Sequence, residues 1–360
     1  MKENHTIVLS GNDVITITEN FGLDNLMDLI IQNLTLAIEE YNTNFIDIPI
    51  RKGFNYNGKH PGLIEWMPVH QIGKEVTIKV VGYHPNNPNN YNLPTILSSI
   101  SAYDTSTGHL RGIADGVFLT ALRTGAASAV ASRLMAKQDS TVLGLIGCGC
   151  QSITQLHALS RVFDLQSVMI YDVDRSAMDS FLERIAPLNL NIQIIFSNIE
   201  KIIADADIVC TETSLEVGEG PLFENLDSKN HLHINAIGSD FPGKIELPLD
   251  LLQKSYVCPD FIGQAKIEGE CQQLDDTEIG LDWVQLTKRK NEYLHLKDVR
   301  TVFDSTGWAL EDYVMMDLFL NLAEKFSVGT AFNIENVSED AKNPYHFLKE
   351  PKTKMASSDA

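Results

Sequence analysis

The sequence predicts an α/β protein: a doubly wound parallel sheet joined to a second unit of the α+β class. Three observations carry that prediction. From residue 141 to residue 303, short apolar runs alternate with amphipathic stretches, the rhythm of strands buried on both faces and the helices that cover them. Within this region, residues 141–172 read as a strand, a glycine turn, a helix and a second strand. Ahead of it, residues 75–81 and 96–103 have strand character with no helical repeat between them.

The glycine turn is the most informative of the three. An almost wholly apolar run, residues 141–146, breaks at Gly147-Cys148-Gly149-Cys150-Gln151-Ser152, continues as a helix through Ile153, Leu156, Leu159 and Val162, and returns to an apolar run that ends at Asp172. In such a unit the first glycine permits a tight turn. The second lets the backbone approach a pyrophosphate at the helix N-terminus, where free N–H groups and the helix dipole favour an anion. Asp172 stands where a carboxylate accepts from both ribose hydroxyls and repels a 2′-phosphate, so this Rossmann-type pattern predicts NAD rather than NADP. The other reading is a plain strand–helix–strand unit whose glycines only make a turn, and the third position of the motif is Ser152 rather than the usual glycine.

At 360 residues the chain has room for two domains, and 44% hydrophobic with 21% charged residues is ordinary globular composition. Its 28 basic and 48 acidic residues leave a formal charge of −20, which argues against nucleic acid or an anionic membrane as partner. No apolar run approaches the roughly 20 residues of a bilayer span. The first residues lack the basic-then-apolar layout of a secretory signal. The expectation is a soluble, cytoplasmic protein that handles small molecules. Cys148 and Cys150 fall inside the glycine turn, and no second Cys or His pair completes a metal set, so reduced thiols and no metal are expected.

In chain order, Leu23, Leu26, Leu29, Ile30, Leu34 and Ile38 recur at helical spacing and predict a helix over residues 22–41. An irregular, polar stretch with Arg51 and Lys52 follows, then Gly62-Leu63-Ile64-Glu65-Trp66-Met67-Pro68, in which Glu65 is a lone acid among apolar neighbours. Residues 75–81 alternate, with Val76, Ile78 and Val80 on one face and Thr77, Lys79 and Val81 on the other. Alternation alone leaves Lys79 as a solvated side chain. Residues 86–92 are an Asn/Pro loop too polar to pack. Residues 114–137 predict a long helix in which Arg123 is the only charge between Asp115 and Arg133. An arginine cannot shed its proton, so this one needs an anion beside it: a substrate carboxylate held bidentate, or a protein carboxylate in a structural ion pair.

Past Asp172 the expected elements are a helix over 176–185, a strand over 192–196, a helix over 199–204, a strand at Ile208–Thr211 and a further run over 231–237. That run leads into Gly238-Ser239-Asp240-Phe241-Pro242-Gly243-Lys244. Ligands in open parallel sheets sit beyond the carboxyl ends of strands, which puts Asp240 at such an exit. The same residues also suit an ordinary tight turn. Residues 301–303 lead to a second exit at Asp304-Ser305-Thr306-Gly307, and residues 308–326 to a helix that docks back on the first unit. The tail from Glu350 is polar and expected to be disordered.

Taken together these stretches resemble the ornithine cyclodeaminase and mu-crystallin family over about residues 51–335, and its bacterial ornithine cyclodeaminase branch in particular. The resemblance rests on Ile64-Glu-Trp-Met-Pro68, Lys79 followed by Gly82-Tyr-His-Pro85, Leu122-Arg-Thr124, the 147–152 turn and His233-Ile-Asn-Ala-Ile-Gly238. It extends to Asp240-Phe-Pro-Gly-Lys244, Ile267-Glu-Gly-Glu270 with Gln272-Gln-Leu274, and Phe303-Asp-Ser305 with Glu311-Asp312.

The resemblance implies that Arg51, Lys79 and Arg123 hold a substrate carboxylate, with Lys52 the alternative to Arg51. It implies that Asp240 is the catalytic base and Glu65 serves the distal amine, with Met67, Thr95 and Lys244 in the pocket. Thr124, Gly147, Gly149, Cys150, Gln151, Ser152, Asp172, Thr211 and Ser305 line up with contacts to NAD. The implied activity is conversion of L-ornithine to L-proline and ammonia. The alternatives are a lysine cyclodeaminase, an NAD-dependent amino-acid or imine dehydrogenase, or a non-catalytic binding protein of the mu-crystallin kind. Gly82 stands where the bacterial enzyme has asparagine, which bears on substrate choice. A homodimer through the first unit's sheet is also implied. The expected division is a substrate-binding and dimerisation domain (1–120 with 320–349), an NAD-binding domain (121–319) and the tail (350–360).

Overall fold

The structure is a computed structural model and describes residues 5–224, 227–335, 340, 342–345 and 348; the tail from Glu350 lies outside the described residues. Two sheets organise it. The first is built from β1 (Thr6–Leu9), β2 (Ile46–Asp47), β3 (Lys52–Tyr56), β4 (Gly62–Gln71), β5 (Glu75–Tyr83), β6 (Ile96–Asp104) and β7 (Leu110–Asp115). The second contains β8 (Val142–Ile146), β9 (Ser167–Tyr171), β10 (Gln193–Phe196), β11 (Ile208–Thr211), β12 (His233–Ala236), β13 (Tyr256–Pro259) and β14 (Thr301–Asp304). A last strand, β15 (Thr330–Phe332), returns to pair antiparallel with β1.

The second sheet is parallel throughout, in the order β10-β9-β8-β11-β12-β14-β13. Its strands are apolar because helices cover both faces: Leu143, Leu145, Val168, Ile170, Ile208, Val209, Ile234 and Val302 are all buried. Successive strands run outward from β8 in one direction and from β11 in the other. The crevice at their carboxyl ends is therefore the switch point where such sheets bind ligands. The first sheet runs β15-β1-β7-β6-β5-β4-β2, with β3 also on β4, and is antiparallel except where β1 meets β7.

Helix Gly11–Phe21 starts on a capping box in which Ser10 and Asp13 satisfy each other's backbone N–H groups. Helix Leu23–Glu40 buries Leu26, Ile30, Leu34 and Ile38 of the stripe read from the sequence, adds Met27 and Ile31 to it, and leaves Leu23 and Leu29 half-buried. Helix Val117–Met135 is buried almost all round and joins the two sheets. Helix Ala309–Phe326 packs Leu310, Val314, Met315 and Phe319 into the same core as Leu26, Ile30 and Leu34, so it does return to the first unit.

Several local expectations are corrected. The long helix begins at Val117, because Ala114 and Asp115 are paired in β7. The stretch expected to be irregular around Arg51 holds β2 and β3, since the neighbouring β4 supplies hydrogen-bonding partners that composition does not reveal. The Asn/Pro loop contains a short helix, Asn87–Tyr91, with Asn87 buried and its Nδ2 donating to the Pro94 carbonyl at 3.0 Å. The helix expected over 176–185 is two short ones, Arg175–Asp179 and Phe181–Ile185.

Candidate functional site

The glycine turn joins β8 to helix Cys150–Ser160. Gly147 has φ 108°, and a Cβ there would lie 2.8 Å from the Glu212 carbonyl oxygen, so only glycine fits. Gly149 differs: at its Cβ position no protein atom lies within 4 Å, and no side chain caps the helix that starts beside it. Open space facing uncapped N–H groups fits a pyrophosphate. Asp172 closes β9, and its carboxylate accepts from Cys148 N at 2.7 Å and Asp174 N at 2.8 Å, which ties the turn to the strand end.

Ser152 is buried and donates to the Gly149 carbonyl at 2.6 Å. The close helix packing usual for the third glycine of this motif is met instead from the other side. A Cβ on Gly125 of helix Val117–Met135 would lie 2.4 Å from the Thr154 carbonyl oxygen. Thr124 is buried on that helix, Gln151 faces Thr154, and Cys150 is exposed. Thr211 and Ser305 stand buried at the exits of β11 and β14, and the Ser305 hydroxyl has no hydrogen-bond partner. An unsatisfied hydroxyl at a strand exit, together with the open approach at Gly149, fits a dinucleotide laid along this edge. Among the described residues no cluster of side chains could hold a metal.

The cations converge between the two sheets. Lys79 lies on the inward face of β5 and is 1% exposed, so the solvated reading is overturned. Its Nζ donates to Asp312 at 2.8 Å. Burial, with Arg123 acting in the same direction, pushes its pKa down to about 8 against the pull of Asp312. Arg123 donates to Glu311 at 2.6 Å and has Asp312 at 3.6 Å. These two carboxylates hold the guanidinium from the side of helix Ala309–Phe326. Burial raises Glu311 to about 7 despite Arg123.

Arg51 turns into the crevice with its side chain only 9% exposed, whereas Lys52 is exposed. Its guanidinium donates to the carbonyls of Thr306 (3.1 Å) and Asp240 (3.0 Å), pairs with Glu268, and has Glu65 at 3.5 Å. Strand register sets a ruler here. Met67 is paired with Lys79, and Glu65 with Val81, one same-face step along the sheet. That step is about 7 Å. Gly82 has the opposite parity to Lys79, and a Cβ on it would meet His84 and Ile64, so it faces away from this group.

Asp240 follows β12 as predicted and is 41% exposed, and Lys244 Nζ donates to its Oδ1 at 3.0 Å. Burial works against the Lys244 charge, but Asp240, Glu246 and Tyr83 together raise its pKa. The turn between them is held from outside. Gln272 accepts from Gly243 N at 2.7 Å and donates to the Lys244 carbonyl at 2.9 Å, and Ser239 donates to that carbonyl at 2.6 Å. Thr95 sits half-buried just ahead of the Ile96–Tyr83 pair, at the same end of the sheet as Tyr83. Desolvation raises the Tyr83 phenol, with Lys244 and Asp240 among the charges it feels.

The structure therefore brings Arg51, Glu65, Asp240 and Lys244 to one mouth, sets Lys79 and Arg123 behind it, and leaves the nucleotide residues along the neighbouring edge. Sequence reasoning gave no role to Glu268, Glu311 or Asp312, the acids that hold these cations. The available signal was acids within otherwise apolar helical stretches. Arg184 was also missed: it donates to the Cys148 and Gly149 carbonyls at 2.8 and 3.3 Å and braces the turn from a separate helix.

The model of the ornithine cyclodeaminase/mu-crystallin family matches residues 12–325. L-lysine cyclodeaminase of Streptomyces rapamycinicus is 40% identical over 341 residues, covering 94% of this chain and 99% of that protein. Ornithine cyclodeaminase of Brucella melitensis is 30% identical over 81% of this chain and 82% of its own length. Among solved structures, a lysine cyclodeaminase studied for recognition of L-lysine, L-ornithine and L-2,4-diaminobutyric acid superposes with a TM-score of 0.91 at 43% identity, covering 95% of this chain and 99% of its own. An archaeal alanine dehydrogenase dimer with bound NAD gives 0.81 at 28% identity over 92% and 100%.

Proposed function

Because the chain belongs to the ornithine cyclodeaminase/mu-crystallin family, we propose that it is an NAD-dependent cyclodeaminase whose preferred substrate is L-lysine, converted to L-pipecolate and ammonia. L-ornithine, converted to L-proline, is the second substrate. The observation that carries the choice of lysine is the 40% identity to L-lysine cyclodeaminase across nearly both full lengths, against 30% to the ornithine enzyme.

When bound, NAD would supply a hydride acceptor for the substrate Cα–H and, once ammonia has left, the hydride that reduces the cyclic imine to the cyclic amino acid. The chain's residues do the rest. Arg51, Lys79 and Arg123 anchor the carboxylate and orient Cα, a positioning effect. Asp240, at the mouth, takes the proton from the α-ammonium so that hydride can leave, and Lys244 beside it donates to its Oδ1 and holds the side chain in place. Glu65, one same-face step from the Met67–Lys79 pair, binds the distal ammonium and accepts its proton when that amine attacks the oxidised α-carbon. The α-nitrogen then departs as ammonia. We assign residues 1–120 and 320–349 to substrate binding and dimerisation and residues 121–319 to NAD, and we infer a homodimer.

The test is to supply L-lysine or L-ornithine with catalytic NAD and follow ammonia, cyclic amino acid and NADH together. Ammonia and pipecolate in equal amounts without net NADH, at higher kcat/KM than for ornithine, is the expected result. Net NADH accumulation would move the protein to the dehydrogenases of this family, and preference for ornithine would reverse the substrate choice.

A further inference from the structure

Beside Arg51 lies a small cavity lined also by Met67, Gln264, Gly307 and Trp308. Trp308 is 3% exposed, and its indole is wedged between Tyr41, edge-on with ring centres 4.9 Å apart, and Phe261, stacked at 5.8 Å. Its Nε1–H is buried and has no acceptor. Arg51 Nε is likewise buried without a hydrogen-bond acceptor. The Gln264 side-chain carbonyl is already committed to Arg51 N at 3.1 Å, which leaves its amide donors. Behind the cavity, a Cβ on Gly307 would lie 2.8 Å from the Arg123 guanidinium, so that cation passes close to the same wall.

Of these groups the Trp308 Nε1–H has no partner, and Arg51 Nε has only the Glu65 carboxylate, at 3.5 Å and without a hydrogen bond. A buried donor left unpaired is costly, and such groups are normally satisfied by a ligand or a water when protein does not do it. Trp308 also stands at the N-cap of the 18-residue helix Ala309–Phe326, whose dipole favours an anion at that end. The first-turn acids there, Glu311 and Asp312, are already engaged by Arg123 and Lys79. A carboxylate offers two oxygens and about four acceptor positions, enough to meet Arg51 and one further donor.

We propose that Trp308 is a further substrate-binding residue, its indole N–H donating to the substrate carboxylate held at Arg51. The inference rests on the reading of Arg51 as a carboxylate anchor and adds a neutral, rigid donor to it. An indole held between Tyr41 and Phe261 loses little freedom on binding, so it adds a rigid, neutral donor beside the cations.

Trp308→Phe keeps the aromatic wedge and removes the donor. The expected result is a KM for L-lysine raised about tenfold, the loss associated with one hydrogen bond to a charged group, with kcat within twofold and NAD affinity unchanged. An unchanged KM overturns the proposal, as does a fall in melting temperature with KM intact, which would mark a packing residue. Should the phenylalanine variant fail to fold, β-(3-benzothienyl)alanine at 308 preserves the ring shape without the N–H and is held to the same outcomes. Calorimetric binding of L-lysine and of cadaverine, which lacks the carboxylate, separates this idea from the function it rests on. Absence of lysine binding to the wild type defeats the proposed function. Equal lysine binding to wild type and variant defeats only the role of Trp308, whereas weaker lysine binding with cadaverine unaffected supports it.

Discussion

At the residue scale, Lys79 shows how burial sets a working range. Its charge is complete well below pH 8 and is lost as pH rises through that value, because burial and Arg123 depress it from the ordinary lysine range. If it anchors the carboxylate, kcat/KM for L-lysine should fall above pH 8, and Lys79→Arg, which stays charged, should move that fall upward; a profile identical in the variant would remove Lys79 from the anchor. Asp240→Asn keeps the shape of the side chain and its distance from Lys244 but cannot take a proton. Turnover should drop by a hundredfold or more, the usual scale of general-base catalysis, while NAD affinity measured by fluorescence stays within twofold.

At the scale of the element, the two glycines of one turn separate folding from binding. Gly147→Ala forces a Cβ against the Glu212 backbone at a positive φ, so the melting temperature should fall. Gly149→Val puts its Cβ where no other part of the protein lies within 4 Å, at an ordinary φ of −79°, so the fold should survive with its melting temperature nearly unchanged. NAD affinity should nonetheless drop at least tenfold, because the side chain occupies the space facing the helix N-terminus. A Gly149→Val protein that binds NAD normally would mean that the cofactor lies elsewhere.

At the scale of the whole molecule, the outer face of the first sheet carries the apolar side chains of β4, β5 and β6. Ile64, Val80 and Leu97 are 42%, 41% and 39% exposed, and Ile64 and Leu97 flank Gly82 on adjacent strands. Apolar side chains exposed together on one face suit the homodimer interface proposed for this sheet. The double variant Val80→Lys, Leu97→Glu should therefore run as a monomer in analytical ultracentrifugation where the wild type runs as a dimer. A wild type that sediments as a monomer would exclude this assembly.

What the sequence alone determined about this protein is the part governed by local periodicity and backbone need. The strand–turn–helix–strand at residues 141–172, the position of Asp240 at a strand exit and the stripe of helix Leu23–Glu40 follow from neighbours a few residues apart. The same holds for Gly147, whose role depends on a turn conformation that its own motif announces. Tertiary structure decided what depends on pairing across long distances. Lys79 alternates like a solvent-facing residue, and only the packing of Asp312, 233 positions away, buries it as half of an ion pair. Strands β2 and β3 exist because β4 offers them partners, and Glu268 matters because the fold delivers it to Arg51. Trp308 reads in sequence as one more apolar residue at a helix start, yet the closed core leaves its N–H without an acceptor. Local propensity is encoded residue by residue, whereas burial and charge pairing are properties of surfaces that come into being only when both sides have folded.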